Sequence, residues 1–262
     1  MNKPRLAVHK FTSCDGCQLA FLNAGEALLM LTDLVEVVHF AEAGYLDLAT
    51  PVDITFVEGS VSTPDEIERI KKIRKQTTYL ITIGACATAG GIQALRNTAN
   101  HKAWMSAIYA TPDTIATLST SSAIAAHVKV DWELWGCPVN TQQILETIRS
   151  LLSGASPQIK QDAVCMECKR QGHVCVLVTK KEPCMGPVTR TGCGALCPGI
   201  NRACYACYGP AENPNPQALG NWFYQHGFDK STIARQFLHI NNQAAAFQQA
   251  GSYFKGIKIV KK

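Results

Sequence analysis

The sequence has no run of apolar residues approaching the ~20 that a membrane-crossing helix needs. Its first residues, "MNKPRLAVHKFTSC", hold neither a long apolar stretch nor a small-residue cleavage site, and no twin-arginine pair stands near them. A cytosolic location is therefore expected. Charge is sparse too, at 17% Asp, Glu, Lys and Arg, and the net +5 comes from scattered basic residues. No block of Lys or Arg is long enough to track a nucleic-acid backbone, and the terminal "KGIKIVKK" reads as a short solvated tail. The common catalytic signatures are also missing. There is no G-x-G-x-x-G after the first strand, no P-loop, no G-x-S-x-G and no H-E-x-x-H. Only "GACATAGG" is glycine-rich ahead of a helix, as a phosphate or flavin site requires, and Cys86 inside it argues for another use.

What the sequence has in excess is cysteine, twelve in 262 residues, eight of them between Cys165 and Cys207. In the cytosol disulfides are rare, so such a cluster points to metal or redox work. The apolar fraction of 47% suits a globular protein with one or two domains.

Residues 4–10, 35–41, 52–59, 77–85 and 127–136 read as strands. Residues 18–34, the segment after Thr63, the segment from "TAGGIQALRN", and 141–154 read as helices. Thr63, Pro64 and Glu66 form a capping-box signature with proline at the first helical position. Alternating strands and helices predict an α/β protein with a flavodoxin-like parallel sheet. The pattern stops near "SGASPQ" (153–158). This predicts a first domain over 1–155 and a second over 156–262, cysteine-rich and then helical in "QALGNWFYQHG" and "STIARQFLHINNQAAAFQQA". The Cys-, Gly- and Pro-dense segment lacks the apolar periodicity of a core, and metal cross-links would supply what it lacks.

Four cysteines lie outside that segment, and each follows an expected strand: Cys14 and Cys17 the first, Cys86 the fourth, Cys137 the fifth. Parallel strands end on one edge of a sheet, where ligands bind. Four thiols remote in sequence should therefore converge, as a [4Fe–4S] cluster or a zinc ion requires. The plain alternative is four reduced cysteines packed as small apolar groups. The late eight divide into Cys165, Cys168, Cys175, Cys184 and Cys193, Cys197, Cys204, Cys207. Neither set holds two C-x2-C knuckles, so iron–sulfur suits them better than zinc. The division itself is softer, since one run can lend a cysteine to the other cluster. Lys169, Arg170, Lys180, Lys181 and Arg190 are placed to moderate cluster charge, although a solvated face explains them as well. His173 reads as a surface or supporting group, because twelve thiols already complete three tetrads.

Together "TSCDGCQLAFLN", "VEGSVS", "IGACATAGGIQ", "WGCPVN", "CMECKRQGHVC", "EPCMGPVTRTGCGALCPG" and "CYACYGP" resemble the small subunit of cytosolic [NiFe]-hydrogenases. The closest likeness is to the NAD(P)-linked, heterotetrameric group that includes the sulfhydrogenases. The resemblance runs from about residue 5 to 210. It implies three [4Fe–4S] clusters: a proximal one on Cys14, Cys17, Cys86 and Cys137, a medial one on Cys193, Cys197, Cys204 and Cys207, and a distal one on Cys165, Cys168, Cys175 and Cys184. Periplasmic members have a histidine where this chain has Cys165, and a three-cysteine medial site where Cys197 here adds a fourth thiol. The implied partners are a nickel–iron large subunit, an iron–sulfur subunit and a flavin subunit that binds NAD(P). Glu58 and Ser60 of "VEGS" fall at the same strand edge and are expected to cap a loop, orient the cluster or pass protons. Three other readings stay open: an F420- or heterodisulfide-reductase-linked hydrogenase subunit, a subunit of a quinone-linked respiratory complex, and a zinc-stabilised scaffold without redox function.

Overall fold

The computed structural model describes residues 3–256, which form two compact units divided between Gln158 and Ile159. Most of the terminal "KGIKIVKK" lies outside the described residues.

The first unit is built on a six-stranded sheet of order β3-β2-β1-β4-β5-β6. Its strands are β1 (Arg5–Lys10), β2 (Glu36–Phe40), β3 (Tyr45–Leu46), β4 (Val52–Glu58), β5 (Thr77–Ile83) and β6 (Trp132–Leu134). All neighbours pair in parallel except β3, a two-residue antiparallel edge strand absent from the expected set. Without it the order is the flavodoxin-like 2-1-3-4-5. β4 is central, and from Ile54 to Glu58 it is buried throughout, which is why it reads as a continuous apolar run rather than an alternation.

Helices α1 (Gly16–Leu22), α2 (Glu26–Leu34), α3 (Pro64–Lys75), α4 (Gly84–Ala89), α5 (His101–Ile108) and α6 (Thr141–Leu152) complete the unit. The capping box at Thr63 and Glu66 forms as expected. The single helix expected over 18–34 is two, because Gly25 takes φ +57° between them. The strand expected over 127–136 is only three residues long. Just before it, the Asp131 carboxylate accepts Leu80 N–H (2.8 Å) and Arg74 Nη1 (2.6 Å). The Asp131 N–H also donates to Leu80 O at 2.9 Å, so backbone and side chain together tie the loop to β5. The helix expected from Thr88 begins earlier, at Gly84, and gives way to a 3-10 stretch at Ile92–Thr98.

The second unit opens with three short helices, α7 (Val164–Arg170), α8 (Val176–Thr179) and α9 (Leu196–Gly199). Segments this short do not hold themselves in water. Three longer helices follow: α10 (Pro216–Gln225), α11 (Lys230–Phe237) and α12 (Ala245–Lys255). The helix expected over 231–250 is thus split. Phe223, Phe237, Phe247 and Phe254 form the buried apolar centre of these helices. Gly220 and Gly251 let them approach closely, against Phe254 and Leu238 respectively.

Candidate metal centres

The first centre lies at the C-terminal edge of the parallel sheet. β1 leads into Cys14 and Cys17, β5 into α4 with Cys86, and β6 into Cys137. Backbone contacts hold these segments together. Ala85 N–H donates to Gly136 O at 2.7 Å, so the turn carrying Cys86 is pinned beside the one carrying Cys137. A Cβ on Gly84 would lie 2.3 Å from Cys17 Sγ and 3.4 Å from Gly136 O. A Cβ on Gly91 would lie 2.6 Å from Cys86 Sγ, and one on Gly16 would lie 3.4 Å from Cys14 Sγ and 3.7 Å from Pro138. Three glycines thus leave space around three of the four sulfurs.

The electrostatics show the same convergence. Burial pushes the Cys86 thiol up to about 12, and the neighbouring Cys137 and Cys14 push it the same way. Cys17 is raised further, first by burial, then by Glu58, with Cys86 and Cys137 adding to it. Cys137 is raised by burial and by Cys14. Thiols raised in this way, those of Cys17, Cys86 and Cys137, resist ionisation unless a positively charged centre binds the sulfurs. Ligation by the irons of a cluster satisfies that condition, and four thiols are the donor chemistry it needs.

Glu58 ends β4 and is buried. Its carboxylate accepts Cys17 N–H (Oε1, 3.0 Å) and Gln18 N–H (Oε2, 3.3 Å). Asp15 at the N-cap of α1 makes no side-chain cap bond, so a residue remote in sequence caps that helix. Burial raises the Glu58 carboxyl, and the Cys17 amide counters that shift. Ser60 does not reach a cysteine through any described hydrogen bond. Its hydroxyl accepts from Ser121 (2.8 Å), which is paired with Ser62 (2.9 Å). This hydroxyl chain fastens the "VEGSVS" loop to the segment before Ile124.

In the second unit, Cys165 and Cys168 lie on α7, Cys175 caps α8, and Cys184 precedes a 3-10 turn at Gly186–Val188. Burial raises Cys165 to about 11, with Cys184, Cys168 and Cys175 adding in that order. These four are mutual neighbours. The other late set is less closed. Cys204 is raised by burial and has Cys184 and Cys207 beside it, while Cys184 also has Cys197 as a neighbour. Cys204 N–H donates to Cys184 Sγ at 3.2 Å, and a Cβ on Gly186 would touch Cys165 Sγ, Cys184 Sγ and Cys204 Cβ. The two sets therefore adjoin at Cys184 and Cys204. Cys193 is raised by burial, accepts backbone amides of Leu196 and Ala195, and has the Glu167 carboxylate close by. His173 Nε2 is paired with Gln171 Oε1 at 2.7 Å. Among the described residues no three of His, Cys, Asp and Glu stand close enough to grip one metal ion.

No motif marks Glu167, although an acidic residue inside the closely spaced C-M-E-C run is itself a signal. Gly84 and Gly91 are equally silent in the sequence, because their role depends on what approaches them.

The model of a family described as NADH ubiquinone oxidoreductase, 20 kDa subunit, matches residues 14–151. Sulfhydrogenase 2 subunit delta of Pyrococcus furiosus is 33% identical over 80% of this chain and 88% of its own length. The NAD-reducing hydrogenase HoxS subunit delta of Cupriavidus necator is 30% identical over 58% of this chain and 80% of its own. Among solved structures, an NAD+-reducing [NiFe]-hydrogenase in the H2-reduced state aligns with TM-score 0.54 and 26% identity, over 60% of this chain and 95% of that one. The chain belongs to this family, and within it to the small subunits of [NiFe]-hydrogenases, non-catalytic members of an oxidoreductase. Among the described residues, no helix is long and apolar enough to cross a membrane.

Proposed function

We propose that this chain is the electron-relay subunit of a cytoplasmic [NiFe]-hydrogenase. It passes electrons, reversibly, between H2 at a large subunit and NAD(P)+ at an iron–sulfur and flavin pair in a heterotetramer. The observation that carries this reading is the meeting of Cys14, Cys17, Cys86 and Cys137 at one sheet edge, in a member of the hydrogenase small-subunit family.

In this reading residues 1–155 hold a proximal [4Fe–4S] cluster on Cys14, Cys17, Cys86 and Cys137. Residues 156–262 hold a medial one on Cys193, Cys197, Cys204 and Cys207 and a distal one on Cys165, Cys168, Cys175 and Cys184. When bound, such clusters supply one-electron transfer at potentials set by charge, burial and hydrogen bonds to sulfur. The protein's part is to bind, orient and shield. Glu58 fixes the first turn of α1 and with it Cys17. Gly84 and Gly91 keep side chains away from Cys17 and Cys86. The Cys204 amide donates to the Cys184 sulfur, a bond that stabilises the more reduced, more negative state.

The test is anaerobic purification with the partner subunits, followed by iron and sulfide analysis. About twelve of each per chain supports three four-iron clusters, whereas about three zinc supports the scaffold reading. Cys86→Ser should lose about four iron atoms and H2-driven NAD(P)H formation. Full iron with full activity in that variant removes the proximal assignment.

A second reading changes only the acceptor. A chain of the F420-non-reducing hydrogenase vhu from Methanococcus voltae is 26% identical over 90% of this chain, a broader span than the NAD-reducing relative. Assaying NAD+, NADP+ and a heterodisulfide reductase in parallel separates the two.

A further inference from the structure

Glu167 links the two late cysteine sets at a second point, apart from Cys184 and Cys204. It sits on α7 between Cys165 and Cys168, yet its carboxylate points to the other set's loop. Oε1 accepts Gly192 N–H and Oε2 accepts Ala195 N–H, each at 3.2 Å. Cys193 lies between those two donors. The loop bends to present them: Gly192, Gly194 and Ala195 have φ of +133°, +67° and +51°. Alanine is disfavoured in the left-handed region, so the carboxylate holds a conformation the sequence alone disfavours. The Ala195 amide is shared, since the Cys193 sulfur also accepts it. Glu167 is therefore bonded to the loop carrying one set's Cys193, next in the chain to Cys168 of the other set and two residues from its Cys165.

We propose that Glu167 is a positioning residue that locks the Cys193 loop onto α7 and sets the reduction potential of the cluster held there. This rests on the cluster assignment above. Two effects act in one direction. A fixed negative charge in a partly buried site opposes the arrival of an electron, because Coulomb interactions are strong at low dielectric. The same carboxylate also draws on the Ala195 N–H, and hydrogen bonds to sulfur are what raise a cluster's potential. Glu167 thus holds the cluster at a lower potential than the loop alone would give. It also makes the two late centres mechanically one piece.

The experiment uses the purified complex with Glu167→Gln and Glu167→Asp, measuring iron and sulfide content and an EPR-monitored redox titration. Glutamine keeps an acceptor oxygen and the length but removes the charge. The expected result is full iron and one cluster titrating at a higher potential, the others unmoved, with the aspartate variant closer to wild type. If glutamine loses iron while aspartate keeps it at the native potential, Glu167 only holds the loop and its potential-setting role is overturned. A fully loaded glutamine variant with every midpoint unchanged overturns it. So does iron loss in both variants, which reduces Glu167 to scaffolding. A wild-type complex without iron and sulfide instead refutes the parent assignment.

Discussion

Gly84 lies so close to Cys17 that a Cβ added there would stand 2.3 Å from its sulfur. The same glycine has φ +81° at the first position of α4. Backbone conformation and space thus both demand glycine, and both demands fall where the turn after β5 meets the turn after β1.

Gly84→Ala should therefore empty the first centre selectively. The left-handed conformation costs about 1–2 kcal/mol, and the clash with Cys17 must move a ligand. Iron per chain is expected to fall by about four atoms, with the later centres still loaded. Unchanged iron content would show that the Cys17 sulfur has room to shift.

Glu58→Ala should destabilise the first unit by about 2–6 kcal/mol, because two buried amides, those of Cys17 and Gln18, lose their acceptor at about 1–3 kcal/mol each. Urea unfolding measures it. Glu58→Gln should cost less, since one oxygen still accepts.

His9 stacks on His39 with ring centroids 4.2 Å apart, and both are buried. Burial, then His39 and Arg69, lower the His9 imidazole from 6.5 to about 3. Burial and Arg69 lower His39 too, with the Asp47 backbone and carboxylate opposing. The fold thus holds His9 neutral while the unfolded chain takes a proton below pH 6.5. Stability should fall as pH drops from about 6.5 towards 3, by about 2 kcal/mol at pH 5 from His9 alone. His9→Phe should flatten that slope when urea midpoints at pH 7 and pH 5 are compared.

Gly251→Ala should loosen the C-terminal helices, since its Cβ would meet Leu238 Cγ at 2.3 Å. Overpacking of this kind costs about 1–3 kcal/mol, readable as a lower melting temperature. A neutral effect would mean that Leu238 rotates away freely.

Local signals carried most of the fold. The buried run of β4, the capping box at Thr63 and the glycine-punctuated helices are consequences of short-range periodicity and turn chemistry. Errors arose where a distant group supplied the deciding interaction. The strand before Cys137 is cut to Trp132–Leu134 while Arg74 and the Leu80 amide hold Asp131. The edge strand Tyr45–Leu46 exists only because His39 and Phe40 are there to pair with it.

By itself the sequence determined which side chains are available for chemistry: twelve thiols, four of them placed after strands, and the alternation that makes a parallel sheet. Only the tertiary structure decided what stands beside them. Glu58 under the Cys17 amide, Gly84 against its sulfur and Glu167 across the Cys193 loop are contacts between residues far apart in the chain. Such contacts leave no periodic trace, because their energy comes from burial and geometry that exist only once the chain has closed on itself.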